Sequence, residues 1–209
     1  MKKFSSYFLA LILSCLGAEV MAQNKPAFDG PSWKPPYQLE LEGWGIERLA
    51  FPIDFAPSIT YAGVEDIRFT KGWSDQKSPE YWSYAFLWLL DNGPGQTAAI
   101  IQKNLNVYYD GLVGRNIIKR NIPKSLVIKT QTKLQAIKTE KGDLHTFLGT
   151  IRMLDYMAQK PMVLNARIHV KKCSGSTQTI VFYQLSPKPL TQPVWTRLNA
   201  LWSHFKCGA

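Results

Sequence analysis

Hydrophobic and polar positions follow different rhythms along this chain, and each rhythm predicts an element. The clearest spans residues 164–171, where Leu164, Ala166, Ile168 and Val170 point one way while Asn165, Arg167, His169 and Lys171 point the other. Such alternation is a strand with one dry and one wet face. Ser174-Gly175-Ser176 then turns the chain into a second apolar run, residues 179–185, which predicts an antiparallel hairpin. Residues 81–90 do not alternate: nine of the ten are apolar or aromatic, and Asp91-Asn92-Gly93-Pro94 ends the run. That pattern predicts a central strand covered on both faces, with Trp82, Tyr84, Phe86 and Trp88 on one side and Tyr81, Ser83, Ala85 and Leu87 on the other.

After this turn the period lengthens. Ile101, Leu105, Tyr108 and Leu112 recur at helical spacing, with Thr97 placed to cap the start and Gly111 or Gly114 to end it, so a helix is expected over 97–112. Strands are expected over 126–129, 133–140 and 144–157, and shorter ones within 46–55 and 64–69 between glycines and prolines. A last helix enters at Pro193 and carries Val194, Leu198, Leu201, Trp202 and Phe205 on one stripe. The fold class is therefore α+β: an antiparallel sheet with one central and one C-terminal helix packed on it, or an α/β/α sandwich. A single domain over 39–209 accommodates these elements.

The N-terminus adds a different kind of information. Lys2 and Lys3 precede a short apolar stretch and a small-residue exit at Val20-Met21-Ala22, the pattern of a secretory signal peptide cut after Ala22. The stretch is shorter than the roughly 20 apolar residues of a membrane span. An alternative reading acylates Cys15 as a lipoprotein anchor. Residues 23–38 hold Pro26, Pro31, Pro35 and Pro36, and read as an extended leader outside the core. Export makes the chain periplasmic or extracellular. In an oxidising compartment the two later cysteines, Cys173 and Cys207, are expected to pair as a disulfide worth about 3–4 kcal/mol.

Charge narrows the set of partners. The chain carries a formal +10, and between Lys103 and Lys141 nine basic residues face only Asp110 and Glu140. A field of that sign draws anions. For an exported chain the expected partner is an anionic polysaccharide or envelope surface and not nucleic acid, with Lys119, Arg120 and Lys124 as the candidate contacts. A solvated basic face that only keeps the protein soluble is the plain alternative.

The segments 65–69, Gly72-Trp73 and 81–86, with Leu185-Ser186-Pro187 ahead of a Trp-bearing helix, resemble uncharacterised secreted bacterial proteins. That resemblance implies no activity and transfers no site. The order of elements is also similar to small sandwiches of the Mog1/PsbP-like kind, an analogy of fold that leaves function open.

Catalytic signatures are sparse. HExxH, GxSxG, a P-loop and a strand-borne GxGxxG are all missing. His145, His169 and His204 sit on separate elements, so neither metal nor cofactor is expected. A carbohydrate or ester hydrolase would need converging carboxylates, for which Asp75, Glu80, Glu65 and Asp66 are the candidates; Glu65 and Asp66, adjacent on a strand, must face opposite ways. Enzyme status stays open, and binding is the favoured reading. The Gly72-Trp73-Ser74-Asp75 loop, with Trp73, Asp75, Lys77 and Glu80, is the expected binding rim, because an aromatic on a loop is free for contact as strand-interior rings are not.

Overall fold

The computed structural model describes residues 27–39, 41–92 and 95–208. The expected signal peptide, Ala22 and Cys15 lie outside the described residues. Seven strands, every neighbouring pair antiparallel, form one sheet in the order β2-β3-β4-β8-β7-β6-β5. They are β2 (Gly45–Ala50), β3 (Gly63–Phe69), β4 (Tyr84–Leu90), β5 (Gln131–Ala136), β6 (His145–Asp155), β7 (Lys160–Lys171) and β8 (Thr179–Ser186). The chain leaves the sheet centre through α1 (Ala98–Lys119), reaches the far edge at β5, and returns as a meander until β8 pairs with β4. A helix α2 (Pro193–His204) follows, and β1 (Tyr37–Gln38) pairs with β9 (Lys206–Cys207) as a separate ribbon.

β4 explains why its sequence is apolar throughout. Phe86, Trp88 and Leu90 pack with Ile101, Leu105, Tyr108, Tyr109 and Val113 of α1. Ala85, Leu87 and Leu89 pack on the opposite face with Val194, Trp195, Leu198 and Leu201 of α2. One helix on each face of a mostly antiparallel sheet is the α+β class in its α/β/α form.

Several boundaries differ from expectation, each for a local reason. Thr97 does cap α1, its Oγ1 accepting from the Ile100 amide at 3.3 Å, but the helix runs through both glycines to Lys119. Gly111 is a point of close approach and not a stop: a Cβ there would lie 1.8 Å from the Phe55 carbonyl oxygen. The strand expected over 126–129 is a 3₁₀ turn at Lys124–Leu126 followed by extended chain, and the next strand ends at Ala136, not at 140. β4 starts at Tyr84, since Trp82 has a φ of 54° and belongs to the preceding turn.

The outer edge of the sheet is sealed by side chains of α1. Gln102 Oε1, Asn106 Oδ1 and Asp110 Oδ1 accept from the backbone amides of Leu134, Thr132 and Thr130 at 2.6, 2.8 and 2.8 Å. Four residues of helix rise about 6 Å and two residues of strand about 6.6 Å, so the two repeats stay in step across three rungs. An exposed row of strand amides invites pairing with another chain, and here the amides of Thr130, Thr132 and Leu134 are already satisfied.

The described part of the Pro-rich segment does not stay wholly outside the core, since it delivers Tyr37 into it. Tyr37 and Leu39 are buried among α2 residues, and the Tyr37 hydroxyl donates to Asp66 Oδ2 at 2.9 Å. Asp66, fully buried on the face of β3 opposite Glu65, also receives Arg48 Nε at 3.1 Å and both terminal nitrogens of Arg68. Arg68 Nε then donates to the Leu39 carbonyl at 3.1 Å. Cys173 and Cys207 form the expected disulfide, their Cα atoms 5.6 Å apart. Because Cys207 sits opposite Tyr37 in the β1–β9 ribbon, the bond fastens the β7–β8 hairpin to both ends of the described chain. Among the described residues no helix is long and apolar enough to cross a membrane.

Candidate functional site

A cleft of about 300 Å³ opens where the C-terminal half of α1 rises from the sheet. Its floor and walls are rings: Phe69 and Tyr84 from the strands, Phe55 from the loop before β3, Trp73 and Trp82 from the β3–β4 turn, Tyr108 from the helix and Tyr156 after β6. Trp73 stacks on Phe69 at 4.5 Å, and Trp82 stands edge-on to both Trp73 at 6.3 Å and Tyr156 at 5.1 Å. These rings brace one another, so the walls are preformed. The rim is basic. Arg115 and Lys119, one helical turn apart, and the helix-terminal Arg120 line it on the α1 side, with Glu47 of β2 also at the cleft. Arg115 is paired with Asp54 at 2.8 Å and lies over the Phe55 ring, whereas Arg120 lies 5.4 Å over Tyr156. Cations in this last turn also offset the partial negative charge of the helix end.

Two features foreseen separately in the sequence meet here, since Trp73 and the pair Lys119 and Arg120 line the same cleft. Trp73 is half-buried, not freely exposed, because its stacking on Phe69 turns it inward. The other expected contacts lie elsewhere. Asp75 and Lys77 are exposed, the Asp75 carboxylate accepting only the Lys77 amide at 2.9 Å among described contacts. Glu80 is committed to Arg197 of α2 and to the Gly72 amide, fixing the loop onto the opposite helix. Lys124 is exposed on its 3₁₀ turn and does not line the cleft. Sequence reasoning missed Glu47, Arg115 and Tyr156. The i, i+4 spacing of Arg115 and Lys119 was a usable signal once the helix was known to continue past residue 112.

Beneath the cleft the core is polar in an unusual way. Glu65 is fully buried, its Oε1 accepting from Trp88 Nε1 at 3.0 Å and its Oε2 without a partner. Burial pushes this carboxyl up to about 8; the Trp88 hydrogen bond and the nearby Tyr108 hydroxyl oppose the rise, and the Glu47 and Asp66 charges add to it. Tyr84 and Tyr109 join hydroxyl to hydroxyl, and burial raises both well above the ordinary phenol range. Tyr156 is pushed up to about 12, again mainly by burial, with Arg120 opposing. The phenols of the cleft are therefore neutral hydrogen-bonding groups at physiological pH.

Among the described residues lining the cleft, Glu47 is the sole carboxylate, and none is Ser, Cys or His. Hydrolysis by two carboxylates needs a second within about 10 Å across the substrate. Asp75 and Glu80 do not line the cleft, and Asp66 lies on the other face of the sheet. No protein-family model matches the chain, and neither the curated proteins nor the solved structures contain a match to it.

Proposed function

We propose that this chain is an exported binding protein whose ring-walled cleft takes an amphipathic anion of the cell envelope, its apolar or sugar body against the aromatic walls and its charge toward Lys119 and Arg120. The observation that carries this reading is the convergence of Trp73 with these two cations on one concave site. An aromatic floor supplies apolar contact over a planar body, and a few placed polar groups fix orientation. Arg115 contributes less charge than its neighbours because Asp54 already neutralises it. A location outside the cytoplasm is supported by the Cys173–Cys207 bond, since such bonds persist mainly in oxidising compartments.

Anilinonaphthalene sulfonate, an anion with a fused-ring body, is a suitable probe. The protein should bind it with an affinity that falls as salt is raised, and K119Q/R120Q together should weaken binding about tenfold, the size expected for losing one charge-assisted contact. W73A should weaken it further. Binding insensitive to salt and unaffected by both variants would overturn the proposal. Mass spectrometry of the secreted protein separately tests export: a chain beginning at Gln23 agrees with cleavage after Ala22, an acylated Cys15 indicates an anchored form, and a full-length cytosolic chain contradicts export.

A further inference from the structure

On the sheet face that carries α2, β7 presents His169 with its ring stacked on Trp202 at 4.8 Å. The β5–β6 turn folds over this ring, held by the Leu144 amide on the Val170 carbonyl and by the Glu140 amide on Thr146 Oγ1. Glu140, Asp143 and His169 thereby offer one ligand atom each within 4.8 Å of one another. His169 Nδ1 lies 2.7 Å from Asp143 Oδ2 and 3.9 Å from Glu140 Oε2.

The protons of this cluster follow from its neighbours. Gln184 Nε2 donates to the Leu198 carbonyl at 2.7 Å and to Asn199 Oδ1 at 3.3 Å, which turns its Oε1 toward His169 Nε2, 3.3 Å away. His169 Nε2 must then carry the N–H. The lone pair left on Nδ1 faces a carboxylate oxygen, a contact that repels unless the two atoms share a proton or a metal ion bound to both. A proton fills that role at Oδ2, which can accept it together with the Thr146 Oγ1 hydroxyl at 2.8 Å, but it leaves the other oxygen unserved. The second oxygen of the same carboxylate, Asp143 Oδ1, is buried and has no hydrogen-bond partner. A metal ion can use both carboxylate oxygens where a proton cannot.

We propose that Glu140, Asp143 and His169 form a binding site for a first-row divalent cation, Zn²⁺ being the representative ion. One imidazole and two carboxylates are a donor set such ions accept. His169 binds through Nδ1 while Gln184 holds its other nitrogen, and Thr146 orients Asp143, the supporting contacts that metal ligands require. Glu140, 41% exposed at its side chain, closes the site from the solvent side and leaves a route of entry. Arg167, 3.7 Å from Glu140 Oε1, is a competing charge and has an alternative acceptor in Asn199 Oδ1 at 3.2 Å. The proposal departs from the expectation that the scattered histidines make no metal site, because His169 meets carboxylates in a turn 26 residues away and not the other histidines.

Calorimetric titration of the oxidised protein with ZnCl₂ against a competing chelator tests the proposal. One equivalent should bind, and D143N should weaken binding at least tenfold. E140Q, at an exposed position where folding is undisturbed, should weaken it in the same direction. H145Q/H204Q, which changes the other two histidines, should leave the affinity unchanged, and the His169 ring ¹⁵N signals should shift at Nδ1 on adding Zn²⁺. Equal binding by wild type, D143N and E140Q, loss of binding in H145Q/H204Q, or His169 signals that stay unmoved in excess Zn²⁺ would each overturn it. None of these readouts depends on the cleft.

Discussion

Replacing Glu65 with glutamine removes an ionisable group from the centre of the aromatic core while keeping its shape and its acceptor for Trp88 Nε1. An ordinary glutamate titrates near 4.5, and burial has moved this one to about 8. The folded protein therefore retains a proton that the unfolded chain releases between these values, so stability falls as pH rises across that window. The gap corresponds to roughly 5 kcal/mol of differential stability, present in full below pH 4.5 and lost by the time pH exceeds 8. Urea unfolding followed by tryptophan fluorescence at half-unit intervals from pH 4 to 9 reads this directly. Wild type and E65Q should share similar behaviour at the acid end and diverge upward, E65Q gaining several kcal/mol relative to wild type by pH 9. All other titrating groups are common to both proteins and cancel in the difference. Parallel curves would show that Glu65 ionises freely in the folded state, and the account of a dry core beneath the cleft would fail.

Two glycines three residues apart on α1 should respond oppositely to alanine. G114A, with open space around its new methyl, should stabilise by about 1 kcal/mol, whereas G111A must push back the Phe55 backbone and should destabilise by more than about 2 kcal/mol, both measured by denaturant midpoint. Removing the disulfide as C173S/C207S frees a 34-residue separation and should cost about 4 kcal/mol in the same assay; no change in midpoint would contradict its role as a clasp. D66A leaves two arginines facing a vacant buried position and should destabilise by about 3–5 kcal/mol, with the N-terminal segment becoming the earliest site of proteolysis.

Periodicity made the main elements readable: the alternation of 164–171 gives β7, the unbroken apolar run gives β4, and the Pro193 stripe gives α2. It misled where one residue type serves two purposes. Gly111 and Gly114 look like helix stops, yet one marks a close backbone crossing and the other is merely tolerated within a helix anchored by Val113. Gln102, Asn106 and Asp110 look like a solvent-facing stripe, since nothing in their order reveals that a strand will lie alongside. The candidate site was half legible. Aromatic density and basic charge were both visible, but only the longer helix brings Lys119 and Arg120 beside Trp73. Glu80 was claimed by Arg197 across 117 residues of sequence, a pairing that spacing could not announce.

The three rungs between α1 and β5 join residues only 20 to 32 positions apart, and the helical partner is the earlier of each pair. A nascent chain emerging from its N-terminus thus holds the acceptors before the strand that needs them exists. The border of the sheet can be blunted while the later meander is still unmade, so half-folded molecules meeting at high concentration share one fewer adhesive seam.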